Sequence, residues 1–80
     1  MLEKLSQGAR VVGAKETKRA IASGRAREIF LAQDADPALT EPIAQKAQAA
    51  GLPVAGAFTM AQLGAACGIA VGAAVAATVG

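Results

Sequence analysis

Four short apolar segments alternate along this chain with segments of helical character, and this alternation strongly limits the possible folds. The apolar segments are "RVVG", "REIFLAQ", "LPVAGAF" and the small-residue ending "IAVGAAVAATVG". Short apolar runs with β-branched residues, bounded by glycine or proline, are typical of strands. Strands that alternate with helices predict an α/β layered domain, with a partly parallel sheet and helices on both of its faces.

Helix boundaries are predicted from capping residues and from glycines. "AKETKRAIAS" has helical spacing, and Gly24 follows it at the C′ position. In "DADPALTEPIAQKAQAAG", Asp36 is expected to cap a helix that ends at Gly51, divided into two pieces at Pro42. "TMAQLGAACG" opens with a Thr-x-x-Gln capping box and ends near Gly68. The opening "MLEKLSQGA" is expected to form a further short helix.

The length and the residue inventory exclude several classes of protein. Eighty residues predict one domain, residues 1–80, and the absence of histidine removes the usual general base. Cys67, the single cysteine, has no histidine to activate it, and no Ser-nucleophile, phosphate-loop or dinucleotide motif is present. We therefore expect no enzymatic activity, no cofactor and no metal site. Asp36 followed by Pro37 already has a role as a helix start, so Asp34 and Asp36 are not expected to form a metal-binding pair.

Two features of the chain bear on its location. No charged segment followed by an apolar one opens the sequence, so a cytoplasmic protein is expected, with the ribosome as a candidate site of association. Residues 63–79 are uncharged and close to the minimum length of a membrane span. They consist mostly of alanine and glycine, however, and a helix stop lies in their middle, so no membrane association is expected.

Charge is distributed unevenly along the chain. Residues 10–27 carry six cations and one carboxylate, residues 28–46 carry four carboxylates and one lysine, and no charge follows Lys46. This distribution predicts one basic side of the molecule. The densest part is "GAKETKR", where Lys15, Lys18 and Arg19 surround Glu16 at a predicted helix start. Cations are disfavoured there by the helix dipole, unless the helix end meets an anion.

The residues at this helix start suit contact with nucleic acid. Backbone N–H groups at a helix N-terminus bind phosphate oxygens, and lysine and arginine donate to guanine O6 and N7. A carboxylate only accepts hydrogen bonds, so Glu16 amid cations is a candidate acceptor for the N1–H and N2–H edge of a guanine. The alternative interpretation is an ordinary solvated helix face.

A second candidate contact is the loop within "LGAACGIAVGA". It would expose Ile69 and Val71 between two glycines, where they could cover an unstacked base. The alternative is a helix end followed by a buried strand. The only aromatic residues, Phe30 and Phe58, fall inside predicted strands, so no base-stacking platform is expected. A folded RNA read by a helix is therefore favoured over a single strand.

The order and spacing of three motifs resemble the ribosomal protein L7Ae family of kink-turn RNA-binding proteins, especially its short bacterial members. The motifs are the Gly-Ala-x-Glu helix start, the strand ending in "DADP", and "LGAACG". The resemblance covers nearly the whole chain. It implies a three-layer α/β/α sandwich around a mixed four-stranded sheet. It also implies a non-catalytic domain that binds tandem sheared G·A pairs in ribosomal or other structured RNA.

The resemblance also implies which residues contact the RNA. The helix start supplies the residues that meet the G·A pairs, and the apolar loop packs on a base flipped out of the kink. The implied RNA-binding residues are Gly13, Ala14, Lys15, Glu16, Lys18, Arg19, Ile69, Ala70 and Val71. Lys15 and Arg19 stand where the family pattern has asparagine and lysine, and Ala65 stands where many members have a cation. A monomer is expected. The alternative function is a protein-interaction or scaffold domain of the same fold with only nonspecific RNA affinity.

Overall fold

A computed structural model of the protein describes Leu5 and residues 8–80. The helix predicted over the first nine residues lies largely outside them. The elements that follow are β1 (Arg10–Val12), α1 (Ala14–Ala22), β2 (Ala26–Ala32), α2 (Pro37–Ala49), β3 (Val54–Phe58), α3 (Met60–Ala66) and β4 (Val75–Val79).

The four strands form one mixed sheet in the order β1-β4-β2-β3. β4 lies in the centre and runs antiparallel to both neighbours, with Val12 opposite Ala76 and Leu31 opposite Val75. β2 and β3 are parallel, which requires a crossover connection, and α2 provides it. The predicted α/β fold with a mixed four-stranded sheet is therefore confirmed.

Helices cover both faces of the sheet. Successive side chains of a strand point to opposite faces, so Ile29 and Phe30 enter different apolar clusters. Ile29 packs with Ala20 of α1 and with Ile43 of α2, whereas Phe30 packs with Leu63 of α3. The three-layer α/β/α sandwich is thus confirmed, with one small core on each side of the sheet.

Side chains cap the N-termini of two helices, as predicted. The Ala38 N–H donates to Asp36 Oδ1 (2.9 Å) at the start of α2. At the start of α3, the Gln62 N–H donates to Thr59 Oγ1 (3.2 Å), and the Thr59 N–H donates to Gln62 Oε1 (2.9 Å). Both side chains satisfy N–H groups that have no partner within the helix.

Two of the predicted boundaries are wrong. α2 is one continuous helix that passes through Pro42. A proline near the helix start removes only one interior hydrogen bond. Burial of Ile43 and Ala47 against the sheet holds the helix together at this point. The last strand begins only at Val75. Residues 69–74 instead return across α3, where the Ala73 N–H donates to the Met60 carbonyl oxygen (3.0 Å).

Gly13 connects β1 to α1 in a conformation that favours glycine strongly. Its φ of 97° and ψ of 157° lie in a region that residues with a Cβ rarely adopt. No atom lies within 4 Å of a Cβ built at this position, so the cost of a side chain is backbone strain alone.

Gly13→Ala is therefore expected to lower the free energy of unfolding by about 1–3 kcal/mol, measured by urea denaturation. Gly56→Ala is the matched control, because a Cβ there would meet only the Leu31 carbonyl oxygen, at 3.5 Å. Equal stability of the two variants would contradict the strain assigned to Gly13.

Candidate nucleic-acid interface

The start of α1 and the predicted apolar loop lie at the same end of the sheet. The Gly13 N–H, just before α1, donates to the carbonyl oxygen of Val75 (2.8 Å). Val75 is the first residue of β4, and the loop of residues 68–74 leads directly into it. One hydrogen bond therefore connects the residue before α1 to the strand that follows the loop.

The first turn of α1 has backbone N–H donors without a partner in the helix. No side chain caps this helix, and its first intrahelical bond is from the Thr17 N–H to the Gly13 carbonyl oxygen (3.0 Å). The N–H groups of Ala14, Lys15 and Glu16 precede that bond, so they have no partner within the helix. The positive end of the helix dipole lies at the same place, which makes this turn suitable for an anion.

Charged side chains project from α1 around these donors. Lys15, Glu16, Lys18 and Arg19 are all exposed, whereas Thr17 is fully buried on the opposite side of the helix. An Arg19 nitrogen lies 3.4 Å from Glu16 Oε1, and the two side chains are 66% and 52% exposed. Ala14 is half-buried and packs against the core, so its side chain supports the turn.

The loop after α3 exposes apolar side chains, as its glycines predicted. Val71 is 72% exposed, Ile69 is 36% exposed and Ala70 is also exposed. The Ile69 N–H donates to the Gly64 carbonyl oxygen (3.1 Å), which ties the start of the loop to α3. These apolar side chains are thus held at the surface by the backbone around them.

Gly64 allows this loop to lie directly on α3. A Cβ at Gly64 would overlap the Val71 carbonyl oxygen. The helix and the loop therefore touch backbone to backbone at this point. The sequence placed Gly64 within a predicted helix but did not show which segment it contacts.

Arg10 is a supporting residue that the sequence did not distinguish from the other cations. Its Nε and Nη2 donate to the Cys67 carbonyl oxygen (3.0 and 2.6 Å) at the C-terminal end of α3. A guanidinium at that end complements the helix dipole and holds the start of the loop against β1. Burial raises the pKa of the Cys67 thiol, and the nearby Arg10 charge partly opposes this effect.

The six cations behind the prediction of one basic side do not all lie at the start of α1. Arg25 and Arg27 flank the start of β2, where Ala26 pairs with Val79 at the end of the sheet opposite Val75. Val75 and Val79 are four residues apart along β4, which separates these ends by roughly 13 Å. The Arg27 guanidinium lies against Gly80, far from the apolar loop. The basic region is instead a stripe along α1.

The acidic segment after β2 has structural contacts. Asp34 Oδ1 accepts from the Met60 N–H (2.7 Å) at the start of α3, and Asp36 caps α2. Within residue 5 and residues 8–80, no group of three or more potential ligands could hold a metal ion. No helix in the same part of the chain is long and apolar enough to cross a membrane.

Comparison with known proteins gives a consistent set of relatives. Residues 2–80 match the sequence model of the ribosomal protein L7Ae/L30e/S12e/Gadd45 family. An RNA-binding protein of Geobacillus sp. (strain WCH70) is 44% identical over 70 residues, which are 88% of this chain and 85% of that protein. The RNA-binding protein YbxF of Geobacillus stearothermophilus is 43% identical over the same shares of each chain.

The fold is similar to that of solved structures. The Giardia lamblia 15.5 kD RNA-binding protein superimposes with a TM-score of 0.92 at 26% identity, covering 99% of this chain and 70% of that one. A protein of unknown function from Bacillus halodurans superimposes with a TM-score of 0.88 at 19% identity, covering 99% of this chain and 83% of that one, and shows the fold alone.

Proposed function

The chain belongs to the ribosomal protein L7Ae/L30e/S12e/Gadd45 family, and from this membership we propose that it is an RNA-binding protein that recognises a kink-turn. The relatives named as RNA-binding proteins support the general activity. The observation that supports the proposal is the hydrogen bond from Gly13 to Val75, which connects the residue before the cationic helix start to the strand that follows the apolar loop. The polar segment suits base edges and phosphates, and the apolar loop suits an unstacked base.

Glu16 is the proposed reader of guanine. Its carboxylate accepts hydrogen bonds from the N1–H and N2–H groups of the base. Cytosine occupies this edge of guanine in a Watson–Crick pair, whereas a sheared G·A pair leaves part of it accessible. The free N–H groups of the first turn, together with Lys15 and Lys18, contact phosphates or guanine O6. Arg19 donates a planar pair of hydrogen bonds on the same side of the helix.

The ion pair of Glu16 with Arg19 does not prevent this role. Both side chains are more than half exposed, and a pair of this kind contributes at most about 1 kcal/mol. Hydrogen bonds to charged groups contribute about 1.5–3 kcal/mol each. Exchanging the ion pair for a guanine contact at Glu16 and a phosphate contact at Arg19 is therefore favourable.

The apolar loop is proposed to pack on a base flipped out of the kink. Ile69, Ala70 and Val71 offer exposed apolar surface without an aromatic ring, so they cover the face of a base by contact rather than by stacking. Burying Val71 against a base removes apolar surface from water on both partners, which favours the complex.

The test is a titration of the protein against a short kink-turn RNA and against the same RNA with its G·A pairs replaced by Watson–Crick pairs, at near-physiological salt. We expect at least tenfold tighter binding to the kink-turn, a difference of about 1.4 kcal/mol. Equal, salt-sensitive binding to both would refute kink-turn recognition and leave the alternative, a scaffold domain with a nonspecific basic stripe.

A further inference from the structure

We propose that a groove along the outer side of α1 binds a second stretch of RNA phosphate backbone. RNA contact would then continue past the start of the helix, along α1 to Arg25. This inference rests on the proposed function, because it extends the footprint of the RNA held at the α1 N-terminus. It adds Val11, Ser23 and Arg25 to the residues that the resemblance implies for RNA contact.

The groove lies between α1 and the edge strand β1 and is open to solvent. Its volume is about 560 Å³, and Val11, Ala20, Ala22, Ser23, Arg19 and Arg25 line it. The apolar residues among these are small or half-buried, so a backbone can approach α1 closely. The two guanidinium groups come from α1 and from the segment just before β2, so they follow the length of the helix.

The charge in the groove favours a polyanion. Glu16 is the one carboxylate in its lining, and it pairs with Arg19 in the free protein. Within the part of the chain that the structure describes, Arg25 forms no ion pair. When Glu16 accepts from a guanine, Arg19 is released toward the groove. Reading of the base and binding of the backbone are therefore coupled through one ion pair.

The groove is also continuous with the proposed interface. Glu16 belongs to both, since it lies in the first turn of α1 and lines one end of the groove. The nine residues of α1 extend about 13 Å, a length that several successive phosphates of a duplex strand would span. An RNA anchored at the start of α1 can therefore follow the groove only if its stem is long enough to reach Arg25.

The test compares Arg25→Gln with the wild-type protein on two kink-turn RNAs, one with long stems and one with its stems trimmed. Lys46→Gln is the matched control, because it removes one exposed cation from α2, outside the groove. We expect Arg25→Gln to weaken binding of the long-stem RNA by roughly three- to tenfold and to reduce its salt slope by about one. Binding of the trimmed RNA and the behaviour of Lys46→Gln should stay at the wild-type level.

Two results would overturn the inference. If Arg25→Gln and Lys46→Gln affect long-stem binding equally while the wild type still prefers the kink-turn, the groove makes no contact and the proposed function stands. If the wild type shows no preference for the kink-turn, the proposed function fails. The groove is then tested by comparing Arg25→Gln with Lys46→Gln on the long-stem RNA that carries Watson–Crick pairs in place of the G·A pairs. Equal binding by the two variants there would also overturn the groove assignment.

Discussion

Glu16→Lys is expected to weaken binding to a kink-turn RNA by about ten- to one-hundredfold, although it raises the net charge of the protein from +2 to +4. A purely electrostatic interface would respond in the opposite direction, because an added cation strengthens nonspecific binding to phosphates. The loss is expected because lysine cannot accept a hydrogen bond, so the guanine donors would be left without a partner.

The measurement is a pair of titrations of Glu16→Lys, against the kink-turn and against its Watson–Crick control. Glu41→Lys makes the same charge change at an exposed position on α2 and serves as the matched variant. Glu16→Lys should lose the preference between the two RNAs, whereas Glu41→Lys should keep it. Tighter binding of Glu16→Lys to both RNAs would show that Glu16 reads no base.

The parts of the fold that the sequence predicted best depend on contacts between near neighbours in the chain. Asp36 bonds to an N–H two residues away, and Thr59 and Gln62 bond across three residues. Such caps are visible in a sequence because both partners appear in one short pattern. The division of α2 at Pro42 was a local inference of the same kind, and burial of the following turn against the sheet overrode it.

The sequence could not predict contacts that depend on how the layers meet. Arg10 and the Cys67 carbonyl oxygen are 57 residues apart, and only the sheet order brings β1 beside the end of α3. Arg25 and Lys15 are close in the sequence, yet α1 carries them toward opposite ends of the sheet. Local charge density therefore predicted a basic surface, but it did not predict at which end of the sheet each cation lies.

Gly64→Ala is expected to destabilise the protein by about 1–3 kcal/mol, the typical cost of an added methyl group in a fully packed position. The new Cβ would overlap the Val71 carbonyl oxygen and touch Gly72 Cα. Both are backbone atoms, so no change of rotamer relieves the overlap and the loop must move away from α3. Alanine favours a helix over glycine by about 1 kcal/mol. The overlap therefore has to cost more than this gain for the variant to be less stable than the wild type.

Thermal unfolding combined with titration of the kink-turn RNA would test this prediction. For a domain of this size, a loss of 1 kcal/mol lowers Tm by roughly 4–8 °C. Ala61→Gly, at an exposed position in the same helix, should lower Tm through helix propensity while leaving RNA affinity unchanged. Unchanged Tm and RNA affinity in Gly64→Ala would contradict the close packing of the loop on the helix.

The two substitutions separate recognition from the architecture that supports it. Glu16→Lys changes an exposed side chain and should reduce RNA selectivity at nearly constant Tm. Gly64→Ala leaves every proposed RNA contact in place chemically, but it displaces Ile69 and Val71, so affinity and Tm should fall together. If Gly64→Ala lowered Tm alone, the loop would be a structural element only, and recognition would depend on the start of α1.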